Sequence, residues 1–66
     1  MSSSDRAELS TLRSQVEELT ERAVAVAARY GDTPDSAVAA DLYAAERSLF
    51  AARRALDRAL ASLTDS

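Results

Sequence analysis

Apolar residues recur through the first half of the chain at Leu9, Leu12, Val16, Leu19, Ala23, Val26 and Tyr30, in steps that alternate between three and four. This spacing holds them on one side of an α-helix and makes an unbroken heptad seam. Ser4 or Asp5 can cap the free N–H groups of the first turn, and Asp5 with Glu8 forms a variant of the capping box. Gly31 follows the last seam residue at once, where a residue with positive φ would close the helix. The first helix is therefore expected over about 5–30, after a disordered N-terminus at 1–4.

A second seam runs Val38, Leu42, Ala45, Leu49, Ala52, Leu56, Ala59 and Leu63, in steps of four and three. Thr33 suits the N-cap, and Pro34 suits the first helical position, where its missing N–H costs nothing. Asp35 complements the dipole in the first turn. A helix is expected over 34–64, joined to the first by a turn at 31–33. Folding the chain at that turn pairs residues whose numbers sum to 68: Tyr30 with Val38, Val26 with Leu42, Ala23 with Ala45, Leu19 with Leu49, Val16 with Ala52, Leu12 with Leu56 and Leu9 with Ala59. So short a connection favours antiparallel neighbours. The fold class expected is all-α, a two-helix antiparallel coiled-coil hairpin. Leu and Ala alternate along the second seam, and Ala lets the backbones approach closely.

Apolar side chains also lie outside the seams. Tyr43, Phe50 and Leu60 stand beside the second seam with Ala39 on the same stripe, and Val24 and Ala27 flank the first. An apolar strip of this kind on a small chain marks an interaction face. Its simplest occupant is a second copy, giving a symmetric four-helix bundle. Glu46, Arg53 and Asp57, interspersed there, could set the register across that interface or pair within the helix, as Arg53–Asp57 at i,i+4.

Composition strengthens the expectation of a partner. Sixty-six residues bury too little surface for a robust isolated core, and chains of this size usually need a disulfide, a metal or another chain. There is no Cys and no His, so disulfides, thiolate metal sites and imidazole ligands are excluded. The net charge of −3 argues against nucleic acid as the main partner. All eight basic residues are Arg, which with abundant Ala, Asp and Glu suggests a bacterial, high-GC origin. Residues 1–8 show no basic flank followed by an apolar run, and Ala23–Ala28 is too short to span a bilayer. The expected location is the cytoplasm, with no membrane association.

Candidate chemistry is sparse. Glu17, Glu18 and Glu21 lie off the seam and read as a solvated face. Arg13–Glu17 and Glu18–Arg22 read as i,i+4 surface pairs. Arg47, Arg54 and Arg58 line an outward ridge with Arg53 beside it, a candidate site for an anion or an acidic partner. The serines have neither His nor Lys to activate them. No catalytic residue, cofactor or metal site is assigned.

The stretch Leu12-Arg13-Ser14-Gln15-Val16-Glu17-Glu18-Leu19, followed by Glu21-Arg22-Ala23, resembles the first helix of helical chorismate mutases. The resemblance covers about a fifth of the chain and implies that Arg13 would hold a substrate carboxylate. The chain departs from that family in having no Lys and no third helix. The turn Tyr30-Gly31-Asp32 is similar to the Trp-x-Gly turn of small secreted two-helix proteins, with Tyr in place of Trp. The expected function is a non-enzymatic interaction module that self-associates as a homodimer. The alternative is a small regulatory adaptor, anti-sigma-like or antitoxin-like, that binds a heterologous protein through the second apolar face. A chorismate-mutase-like enzyme is the distant alternative.

Overall fold

The computed structural model describes residues 3–65, and side chains over 4–63. It contains two helices, α1 (Ser3–Ala28) and α2 (Ser36–Asp65), which pack against each other as a hairpin. α1 begins earlier than expected, so Ser3 and Ser4 are helical, and Asp5 lies in the first turn, where its charge favours the dipole. Met1 and Ser2, the rest of the expected disordered segment, lie outside the described residues. Among the described residues no helix is long and apolar enough to cross a membrane.

The turn is longer than 31–33 and closes differently. Arg29 N–H donates to the Val26 carbonyl and Tyr30 N–H to the Ala27 carbonyl, both at 3.0 Å. These i→i−3 bonds tighten the end of α1 into a 3₁₀ turn and occupy carbonyls that a left-handed residue would otherwise serve. Gly31 accordingly does not adopt the positive φ expected of it. Thr33 ties the two helices together. Its Oγ1 donates to the Tyr30 carbonyl at 2.8 Å and accepts from Asp35 N–H at 3.2 Å. Ser36 N–H donates to the Thr33 carbonyl at 3.1 Å and Val38 N–H to the Asp35 carbonyl at 2.9 Å. Thr33 Oγ1 thus caps a tight opening turn rather than the first turn of α2 itself, and Pro34 and Asp35, expected inside the helix, lie in that turn before Ser36.

The molecule is a rod, 51 × 15 × 9 Å, with a radius of gyration of 15.3 Å. A compact domain of this length would have a radius of about 11 Å. Its accessible surface of 4675 Å² exceeds the roughly 4,000 Å² typical of a folded monomer of this mass. The buried residues are few: Ala27, Ala39 and Leu63, with Thr20 the single buried polar side chain, among the described residues. The Thr20 hydroxyl is satisfied by donating to the Val16 carbonyl at 2.8 Å. Five large apolar side chains stay exposed: Leu12 (37%), Leu19 (48%), Val38 (41%), Tyr43 (39%) and Phe50 (40%).

Candidate interaction faces

The two heptad seams do not point straight at each other. Take Leu9, Val16 and Ala23 as position a of α1 and Leu12, Leu19 and Val26 as d. On α2, Leu42, Leu49, Leu56 and Leu63 are then a, and Val38, Ala45, Ala52 and Ala59 are d. Every e residue of the helical segments from Arg13 onward is buried or half-buried: Arg13, Thr20 and Ala27 on α1, and Ala39, Glu46, Arg53 and Leu60 on α2. Every g residue is exposed: Glu8, Gln15, Arg22 and Arg29, and Asp41, Ser48, Ala55 and Ser62. Every a residue of the helical segments is buried or half-buried too: Leu9, Val16 and Ala23 on α1, and Leu42, Leu49, Leu56 and Leu63 on α2. The helices therefore meet along an edge between a and e, and d is the most open of the seam positions.

The expected seam is corrected accordingly. Leu9, Val16, Ala23, Val26, Tyr30, Leu42, Ala45, Leu49, Leu56 and Ala59 are only half-buried, and Leu12, Leu19, Val38 and Ala52 are exposed. The e flank carries the small Thr20, Ala27 and Ala39, which are buried, and Arg13 and Arg53, each paired with a carboxylate of the other helix, so contact on that flank gains both packing and charge.

Rotation towards e gives the rod two unlike broad faces. In an antiparallel pair that meets between a and e, the b positions of both helices lie on one side and the d positions on the other, with a at the inner border of the d side, because an α-helix advances about 100° per residue. The a/d face carries Leu12, Val16, Leu19 and Ala23 from α1 and Ala45, Ala52 and Ala59 from α2. Between Leu9 and Val26 no charged residue occupies an a or d position of α1, nor does one anywhere along the α2 seam.

The opposite face is charged. Arg13 Nε lies 2.6 Å from Asp57 Oδ1, and Arg53 Nε lies 3.3 Å from Glu17 Oε1, both across the two helices. Within each helix the same groups close the square: Arg13–Glu17 at 3.8 Å and Arg53–Asp57 at 4.0 Å. Each helix contributes one Arg and, four residues on, one acid. Antiparallel packing sets each Arg against the other helix's carboxylate. The Arg13 Nε is itself buried and makes no directed hydrogen bond, so its contact with Asp57 is one of charge. Arg13–Glu17 and Arg53–Asp57 are thus halves of one interhelical ring rather than separate surface pairs. Its cross-helix partners have numbers summing to 70, two from the expected register. Among the described residues the ion pairs do not include the expected Glu18–Arg22.

Beside the ring lies a groove of about 410 Å³, lined by Thr20, Val24 and Phe50 together with the charged Glu17, Glu21, Glu46 and Arg53. Of the residues expected on a second apolar face, Leu60 enters the hairpin contact and Val24 is half-buried at the groove, while Tyr43 and Phe50 remain exposed on the charged side. Arg53 leaves the expected basic ridge for the ring; Arg47, Arg54 and Arg58 are exposed. Arg13, which the chorismate mutase resemblance would reserve for a substrate, is engaged by two carboxylates of its own chain. The e/g asymmetry was hidden in the sequence because a heptad seam fixes which residues are apolar, not which flank meets which neighbour. The spacing Arg13-x3-Glu17 and Arg53-x3-Asp57 was the available signal for the ring.

No family model matches the chain, and no curated protein and no solved structure does.

Proposed function

We propose that this protein is a non-enzymatic helical hairpin that works by self-association, two copies closing a four-helix bundle through their a/d faces. The observation that carries this reading is the pairing of a minimal core with an uncharged apolar face that includes the exposed Leu12 and Leu19. A helix in a four-helix bundle directs a and d to the bundle axis and uses e and g against its two neighbours. Here e, with a beside it at least half-buried, is used within the hairpin, while g and most of d are open. Stacking a second hairpin on the a/d face would supply the partner chain that a fold of this size otherwise lacks.

Light scattering over a wide concentration range tests the reading. The expected mass is twice 7.0 kDa. Leu19→Asp should return the chain to monomer mass, whereas Phe50→Asp, on the other face, should leave it doubled. A wild-type monomer at every concentration, or a Leu19→Asp variant that stays dimeric, would refute it.

A second reading is favoured by one observation: Tyr43 and Phe50 remain exposed beside an acid-rimmed groove. On this reading the b side of the rod binds a heterologous protein as a small adaptor. A partner that co-purifies with wild type and is lost from the still-dimeric Phe50→Asp variant would support it. Retention of that partner by the variant would count against it.

A further inference from the structure

We infer that the second copy docks in one orientation, by a two-fold axis perpendicular to the helices near Gln15, with the two turns at opposite ends of the bundle. The inference rests on the self-association proposed above and adds its geometry. Its basis is the row of g residues left open by the hairpin contact along a and e.

Along α1 that row reads Glu8, Gln15, Arg22 at intervals of seven. All three are exposed, and neither Glu8 nor Arg22 has an ion-pair partner among the described residues. In antiparallel neighbours of a bundle, g faces g. The row is complementary to its own reverse: Glu8 meets Arg22 of the second copy, Arg22 meets its Glu8, and Gln15 meets Gln15. The same rotation lays Leu12 over Leu19 of the second copy, so the two exposed leucines of α1 cover each other.

The register of α2 agrees with the same axis. The ion ring places Arg13 against Asp57 and Glu17 against Arg53, so Gln15, midway between Arg13 and Glu17, is near the level of Ala55. The g row there is Ser48, Ala55, Ser62, small and uncharged on both sides of the centre. Long polar residues of α1 thus face long ones, and small residues of α2 face small ones. The other face-to-face arrangement, turns at one end, would set α1 against α2 of the second copy. It gains Arg29 against Asp41 but turns Glu8 to Ser62 and Arg22 to Ser48, leaving two helix-borne charges without partners. Arg29 is also outside α1, in the turn.

Two measurements on the full chain test the orientation. The first is a charge exchange. Glu8→Arg should weaken dimerisation roughly tenfold, because it replaces two attractive pairs with two repulsive ones. Adding Arg22→Glu should restore it. Glu8 and Arg22 are fourteen residues apart, about 21 Å along one helix, so rescue can come only between copies. The second is the distance between spin labels at Asp32→Cys, in the turn. With the axis near Gln15, the labels should be about 50 Å apart, twice the rise over the intervening helix and turn. A label distance below about 25 Å, or no rescue by the double exchange, in a protein whose mass stays doubled, would overturn the orientation and leave self-association standing. Monomer mass for the unmodified chain would overturn both.

Discussion

Two residue environments decide how the hairpin holds together, and each makes a measurable claim. Ala27 is fully buried near the turn, with Ala39 buried on the opposing helix, so neither site has open space for a larger side chain. Ala27→Leu should cost about 1–3 kcal/mol through overpacking, read as a lower denaturant midpoint at unchanged slope. The ion ring contributes less, since its side chains are each about two-fifths exposed. A double-mutant cycle on Arg13→Ala and Asp57→Ala should give a coupling of about 0.5–1 kcal/mol at 0.1 M salt. Raising the salt to 1 M should shrink it, because the screening length falls to about 3 Å. A coupling indistinguishable from zero at low salt would mean that the ring orients the helices without stabilising them. The four ring residues were individually visible in the sequence as i,i+4 pairs. Their convergence was not, because it depends on which flank of each helix faces the other.

The helices themselves were legible because their punctuation is strong. Two unbroken seams, a Thr-Pro-Asp start and a lone Gly between them leave little room for another all-α arrangement. What the periodicity did not carry was the closing geometry. The end of α1 is tightened by i→i−3 bonds, so Gly31 is not needed for a left-handed residue. A Cβ at Gly31 would meet nothing within 4 Å. Gly31→Ala should therefore stabilise the protein by about 0.4–1 kcal/mol, by restricting the unfolded chain. The neighbouring position behaves oppositely. Thr33→Ala removes the Oγ1 that bonds both the Tyr30 carbonyl and Asp35 N–H, and should cost about 1 kcal/mol, most of which Thr33→Ser should recover. Thermal melts of the three variants would show whether the turn is organised by its hydroxyl or by its glycine.

At the scale of the whole molecule, the proposed self-association would give the open part of the heptad pattern a use in a four-helix bundle. A two-helix rod needs one shared contact line, and here that line falls between a and e, with most of d turned aside. Such a division has a thermodynamic consequence that needs no knowledge of the partner's orientation. If the a/d faces are buried only on association, folding and dimerisation are linked, and the melting temperature must rise with chain concentration. A melt of wild type across a hundredfold range of concentration should shift upward by several degrees. Leu19→Asp should melt lower and independently of concentration, since it places a carboxylate on the face that the second copy would cover. A hairpin stable by itself would show the same melting temperature throughout, and would have to gain from three small buried residues and Leu63 what chains of this length rarely gain alone.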